Sequence, residues 1–459
     1  MSNQLFDTYK TFSTGSMKKY YDEVSYGQFD FNGEILTDDW IKVSRPSSYW
    51  NIGSTSIAPE LIREALDLID DYTDFRKFDL DGVDGIPNSG DDDGTVDNLI
   101  AIHSGVGGES GGQEIWSHSW SLSPAYVTDD IGADGSPIII SGYVIQPATT
   151  TTNQMEGIEV FCHEFGHALG LPDLYDRDDS PDEESEGVGE WCIMSANTSH
   201  DESPAHFSAW CKEVLGWVNP IILDRNMYDV EIPPVEKSGV VYKVWTKGQI
   251  DPYTFNWGGK TSVPVGREYF LIENRQKLNF DKELPGEGLL IWHVRNDVTR
   301  QNDDENYKLV DLEAADNRFD LDSGRNNGDD GDPFPGSTQN NSFNRISYPN
   351  SNSFYDDLSK VAIENITMND TLIYADLHIF APDLEYRGNS IDDSSGDENG
   401  FVDPGETVDI SLTLKNFGAD LASMTFTLSI SDTAVFIIDS ISIYKDILHD
   451  TEVAETDDK

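Results

Sequence analysis

His163-Glu164-Phe-Gly-His167 combines residue types that can hold a metal ion and move a proton. On a helix, residues four apart lie one turn apart on the same face, so His163 and His167 can aim imidazole nitrogens at one ion. Glu164 stands beside them. There its carboxylate can take a proton from a metal-bound water that attacks a carbonyl, and pass it to the leaving amine. Zinc suits this set. It lowers the pKa of a bound water towards neutrality, and it keeps a position open when the protein supplies only three ligands.

The residues that follow extend the pattern. Gly170 lets the chain turn back sharply. Asp173 comes three positions later, where its carboxylate can be the third ligand. Met194, in Trp-Cys-Ile-Met-Ser, can form a Met-turn, an apolar floor under the metal. Asp176 is an alternative third ligand. A ligand from Glu190, Glu202 or Glu213 would define another class of zinc hydrolase and leave Gly170 and Met194 without a role. His103, His118 and His206 are the other histidines that could approach the site.

A helix must carry this run. Asn153 and Glu156 read as a capping box. Met155, Ile158, Phe161, Cys162, Phe165 and Leu169 recur at spacings of three and four as its buried stripe, with Gly170 and Pro172 as its stop. Upstream, Ala58 to Ile69 reads as an amphipathic helix that buries Leu61, Ala65, Leu68 and Ile69. Leu99 to His103 and Ile138 to Ile145 read as strands, the latter as an edge strand over the cleft able to pair with an extended substrate. Pro204 to Leu215 reads as a further helix. Beyond Trp217 the pattern is all-β, with strands at 240–245, 268–273 and 288–294. A long Asn/Asp/Gly/Ser loop at about 315–352 is expected to be mobile or ion-bound. From Glu406, Val408, Ile410, Leu412 and Leu414 alternate as in a sandwich strand.

The motif resembles that of the immune inhibitor A family of secreted metallopeptidases, a metzincin branch with Asp as third ligand. Asp79-Leu-Asp-Gly through Asp97-Asn-Leu-Ile-Ala-Ile-His-Ser-Gly is similar to a family segment, as are Ile115-Trp-Ser-His-Ser-Trp, the stretch from Pro204 to Trp217 and the stretch from Leu284 to Val294. The resemblance spans roughly residues 5–380. It implies a secreted, calcium-supported zinc endopeptidase acting on protein or peptide substrates, with His163, His167 and Asp173 as ligands and Glu164 as general base.

Composition bounds the remaining choices. The chain has 459 residues, 85 of them acidic and 30 basic, for a net charge of −55. Such a surface repels nucleic acid and anionic lipid. It fits a solvating shell, calcium sites, or both. One calcium candidate is the loop holding Asp79, Asp81, Asp84, Asp91, Asp93 and Asp97. A second is Ser395, Asp397, Asn399, Gly400, Asp403 and Glu406, spaced like an EF-hand loop. Asp329, Asp330 and Asp332 are a third. Cys162, Cys192 and Cys211 are too few for a disulfide scaffold, although Cys192 and Cys211 could pair.

No apolar stretch is long enough to span a membrane. The expected architecture is an α/β (α+β) metzincin-like catalytic domain at 1–218, a β-rich domain at 219–380 and a truncated Ig-like β-sandwich at 381–459. Met-Ser-Asn-Gln-Leu-Phe-Asp has no basic region followed by an apolar core and is not a secretory signal; since the family resemblance implies a leader and a propeptide, the sequence reads as a fragment, as a mature form or as one whose upstream part is missing. The rival reading is a calcium-dependent adhesion protein with an inactive protease domain. Retention of Glu164 and both histidines argues against it.

Overall fold

The computed structural model of the chain describes residues 2–7, 14–50, 57–108, 115–177, 185–195, 202–245, 254–257, 260–264, 266–355, 359–379, 384–416, 418, 421–431, 434–448 and 451–454. The first half begins with α1 (Ser2–Phe6), α2 (Met17–Val24), α3 (Ser47–Trp50) and α4 (Ala58–Asp67). Ser16 caps α2 by accepting from the Lys19 amide, and the helix buries Met17, Tyr20, Tyr21 and Val24. Pro59 sits in the first turn of α4, where a missing N–H is harmless. α4 buries Ala58, Ile62 and Leu66, and Leu68 is exposed. Ile69 is buried as expected, while within the helix the stripe is displaced by one position from Leu61 and Ala65 to Ile62 and Leu66. The spacing of four that begins at Ala58 faces the core, and the chain leaves the helix at Asp67.

β1 (Ile100–Val106), β2 (His118–Ile131) and β3 (Pro137–Thr149) form a sheet in the order β1-β3-β2. β1 is parallel to β3 and β2 is antiparallel to it. Ile138 to Ile145 is therefore the central strand rather than an edge. Among the described residues β2 pairs with β3 alone. α4 lies on this sheet, where Ile62 and Leu66 join Ile138, Ile140 and Ile145 in one buried cluster.

α5 (Glu159–Ala168) follows. It begins later than the capping box implies. Asn153 has φ +60°, and Met155 is exposed. The Thr150 amide donates to Gln154 O and the Glu156 amide to Ala148 O, which holds this stretch as a turn against the end of β3. α6 (Ala209–Val214) is likewise shorter than expected. Ser208 caps it by accepting from the Cys211 amide, and the His206 amide donates to Asp281 instead of entering a helix.

The second half contains β4 (Ile221–Ile222), β5 (Met227–Ile232), α7 (Val235–Ser238), β6 (Tyr242–Trp245), β7 (Thr254–Trp257), β8 (Lys260–Pro264), β9 (Glu268–Arg275), β10 (Gly288–Arg295), β11 (Val310–Leu312), β12 (Ala362–Asn369) and β13 (Leu372–His378). A five-stranded sheet runs β11-β10-β9-β6-β4, and a three-stranded sheet runs β12-β13-β5. Every residue of β9 and β10 is buried. Alternate side chains of a strand point to opposite faces. Tyr269, Leu271, Leu290, Trp292 and Val294 join the core around Phe161, Phe165 and Met194. Phe270, Ile272, Leu289 and Ile291 join β12 and β13. One core thus ties the helical half to the central sheet.

The 315–352 segment is fixed rather than mobile. Phe334 exchanges backbone hydrogen bonds with Leu289, and Phe343 does so with Ile363; both rings are buried. β14 (Leu384–Asp392), β15 (Asp409–Asn416), β16 (Leu421–Thr427), β17 (Ile441–Ile447) and β18 (Glu452–Ala454) complete the chain around Leu414, Tyr444 and Ile447. Ile410, expected to face the same side as Leu414, is exposed. The protein is an α+β molecule with a β-rich C-terminal region, and among its described residues no helix is long and apolar enough to cross a membrane.

Candidate metal centre and its comparison with known proteins

Two features hold α5 in place. Tyr21 Oη donates to Cys162 O at 2.8 Å, and the Phe165 ring meets Phe31 edge-on at 5.0 Å. Gly170 then adopts φ +96°, and the amides of Gly170 and Leu171 donate to His167 O and Gly166 O. This is a Schellman ending, in which glycine takes the left-handed position that other residues resist. The turn brings Asp173 back beneath the helix. His163 Nε2 lies 3.3 Å from Asp173 Oδ1, and His167 Nε2 lies 3.1 Å from the same oxygen.

The far side of each ring is fixed by a main-chain carbonyl. His163 Nδ1 donates to Ile193 O at 2.7 Å, and His167 Nδ1 donates to Leu171 O at 2.8 Å. A carbonyl only accepts, so each Nδ1 carries a hydrogen and each Nε2 can offer a lone pair inward. No motif spacing marks either carbonyl. His163, His167 and Asp173 each place one ligand atom within 4.8 Å of the others. Two imidazoles and one carboxylate at this spacing suit a zinc-like divalent ion.

The electrostatics fit a cation as well. Burial pulls the His163 pKa down, but the Asp173 hydrogen bond and the Glu164 charge overcome it and hold it up at about 9. Burial also works against the Asp173 carboxylate, yet the two histidines hold its pKa well below the usual range. This pocket stabilises positive charge between these groups, and a metal ion would take the place of the proton.

Glu164 is buried beside them at 7 % exposure. Met194 is fully buried, and Ile193, just before it, supplies the carbonyl that orients His163. Tyr175, which motif spacing did not single out, has its ring centroid 6.5 Å from that of His163. Burial raises the Tyr175 pKa well above the ordinary phenol value, and the Asp173 and Glu164 charges add to this. Asp176, Glu190, Glu202 and Glu213 are not part of the cluster. Glu213 pairs with Lys243 instead. His206 is buried between Glu23 and Lys212, and His118 bonds Tyr143 Oη and Trp116 O. Cys192 and Cys211 are thiols with sulfurs 3.9 Å apart, not a disulfide.

The acidic loops sort into smaller groups than the sequence offered. Asp79, Asp81 and Asp97 converge. Asp91 and Asp93 accept from the Asp84 and Thr95 amides instead. Burial and neighbouring aspartates raise the Asp79 and Asp97 pKa values. Near the C-terminus, Asp393 joins Asp397 and Glu406, while Asn399 donates to Asp403 at 2.7 Å. Asp393 lies outside the EF-hand spacing, which begins at Ser395. The third group is Asp316, Asp320 and Asp329, whereas Asp332 accepts from the Trp191 indole.

Comparison with known proteins puts the helical half among metallopeptidase catalytic domains. Residues 1–217 match the family described as immune inhibitor A peptidase M6, catalytic domain. Immune inhibitor A of Bacillus thuringiensis subsp. alesti is 28 % identical over 241 residues, covering 46 % of this chain and 34 % of that protein. Pre-pro-metalloprotease PrtV of Vibrio cholerae serotype O1 is 30 % identical over 241 residues, covering 46 % of this chain and 25 % of that protein. The chain thus spans about a quarter to a third of the length of these curated relatives. The residues that carry the match are similar to immune inhibitor A-type metallopeptidase catalytic domains.

Proposed function

We propose that the chain is a secreted, zinc-dependent endopeptidase of metzincin type that hydrolyses internal peptide bonds of proteins. The observation that carries this reading is the convergence of His163 Nε2, His167 Nε2 and Asp173 Oδ1 beside the buried Glu164. His163, His167 and Asp173 would hold the zinc, and Met194 would floor it. Zinc supplies an acidified water and polarises the scissile carbonyl. Glu164 takes the proton from the attacking water and delivers it to the departing amine. The Nδ1 hydrogen bonds to Ile193 and Leu171 keep both rings aimed at the ion. Secretion rests on the family resemblance alone.

The remaining expectations form part of the same proposal. The catalytic domain occupies 1–218, a β-rich domain 219–380, and part of an Ig-like sandwich 381–459. Asp79, Asp81 and Asp97 are the better-supported calcium group in the first loop, with Asp91 and Asp93 shaping the loop. At 393–406, Asp393, Asp397 and Glu406 are the group to test, with Asn399 and Asp403 beside them.

The deciding experiment measures bound zinc and casein cleavage in the wild type and in Glu164→Gln. About one zinc in each protein, with cleavage in the wild type alone, is expected. Equal cleavage by both would sink the mechanism, and a folded wild type without zinc would sink the assignment.

A further inference from the structure

The third ligand candidate is gripped from outside the helical half. Asp173 presents Oδ1 to the two histidines, and its Oδ2 lies 3.7 Å from Arg177 Nη1. The same guanidinium donates from Nε and Nη2 to Asp303, both at 2.9 Å. Asp303 belongs to the loop between β10 and β11. Its neighbour Asn302 is fully buried and anchors that loop: Oδ1 accepts from the Leu309 and Val310 amides, and Nδ2 donates to Val310 O. Asn302 Nδ2 also donates to Leu174 O at 3.1 Å. Leu174 directly follows Asp173, and its own amide donates to Met194 O at 2.8 Å. The β10–β11 loop therefore holds the main chain just after the ligand and, through Arg177, reaches its carboxylate.

A carboxylate with one oxygen on a metal can rotate about Cβ–Cγ or swing to bidentate contact. A cation facing the second oxygen removes that freedom, and partners of this kind govern ligand orientation and metal affinity. Arg177 alone would also draw electron density from Asp173 and repel the ion. Asp303 offsets this, because its bidentate pairing neutralises the guanidinium and locks the plane from which Nη1 reaches out. Asp303 is well covered, its side chain 12 % exposed.

We propose that Arg177 is a positioning residue for Asp173, and that Asp303 sets it, so that metal affinity at the catalytic centre depends on a loop of the β-rich half. This rests on the assignment of Asp173 as a zinc ligand.

The test compares the full chain with Arg177→Ala, Asp303→Asn and the double variant. The readouts are the zinc dissociation constant by chelator competition, kcat and KM on a peptide substrate, and thermal unfolding of the zinc-free proteins. Arg177→Ala is expected to weaken zinc about 10- to 100-fold and to lower kcat at subsaturating zinc with little change in KM. Asp303→Asn should shift both in the same direction. The double variant should be no worse than Arg177→Ala, because Asp303 acts through the arginine. Zinc-free unfolding should be nearly unchanged in Arg177→Ala. Wild-type zinc binding with an affinity kept within twofold in Arg177→Ala would overturn this inference alone. A wild type that binds no zinc would overturn the ligand assignment and this inference with it. If the loss in Arg177→Ala were matched by an equal loss of zinc-free stability, a merely structural role would replace the positioning one.

Discussion

A side-chain carbon added to Gly166 would stand 2.5 Å from the sulfur of Met194, with Phe207 closing in at 3.3 Å. The glycine between Glu164 and His167 is thus the slot into which the Met194 side chain fits. Alanine is the better helix former by about 1 kcal/mol, so propensity alone favours Gly166→Ala. Overpacking a tight core costs about 1–3 kcal/mol, and here it pushes apart the two segments that orient His163. Gly166→Ala should therefore lower the melting temperature and weaken zinc binding. Met194→Ala removes the opposing sulfur. Combined with Gly166→Ala, it should destabilise by less than the sum of the two single changes, a non-additivity that thermal unfolding of all four proteins would measure.

Gly170 tests a different constraint. A Cβ there meets nothing within 4 Å, yet the residue has φ +96°. Gly170→Ala should cost on the order of 1–3 kcal/mol through backbone strain rather than crowding. Because this turn returns the chain to Asp173, zinc affinity should fall too. Unchanged affinity with reduced stability would mean that the turn is held by the Asn302 and Met194 contacts instead.

A buried charge network underlies the Met-turn. Arg275, fully buried, donates to Trp191 O at 3.0 Å and to both oxygens of Asp281 at 2.8 Å. Glu273 and Glu236 lie at 3.4 and 3.6 Å, and burial, with the Asp281 charge adding to it, raises the Glu236 pKa well above the usual carboxylate range. Removing the arginine strands three carboxyl groups in the core, and losing one partner of a buried pair costs about 3–5 kcal/mol. Arg275→Ala should show that loss in urea unfolding at pH 7 and recover part of it at low pH, where the carboxyl groups can take up protons.

The site was largely legible in the sequence because its members lie close together on the chain. His163, Glu164, His167 and Asp173 are ordered by one helix and one glycine turn, whose rules are local. The partners that complete them come from far along the chain. Ile193 O meets His163 across 30 residues, and Asp303 meets Arg177 across 126. No spacing rule connects such pairs. The same limit explains the strand readings. The apolar run from Ile138 to Ile145 identifies a strand, but whether it lies at an edge depends on where β1 and β2 pair. α5 starts later than its sequence implies because Thr150 to Glu156 carry good capping residues that the chain uses for a turn against β3 instead.

His293 gives the clearest dependence on pH. It lies in the core of β10 between Glu268, 3.0 Å from Nε2, and Glu313, 2.9 Å from Nδ1. The Phe270 and Phe354 rings cover its faces at 4.2 and 4.1 Å. Burial pulls its pKa down, but the two carboxylates overcome it and hold it at about 9. Its folded pKa is therefore above the unfolded value of about 6.5, a difference that corresponds to about 3 kcal/mol. That stability is fully present below the unfolded pKa and is lost as pH rises through 9, when the folded protein must release the proton. Urea unfolding of the wild type should show a decline in stability from pH 6.5 to 9.5. In His293→Gln the curve should be lower at pH 6.5 and its decline across this interval shallower, with His163 supplying the remaining slope in the metal-free protein. A wild-type decline no steeper than that of the variant would mean that His293 is neutral in the fold, with Glu268 or Glu313 carrying the proton.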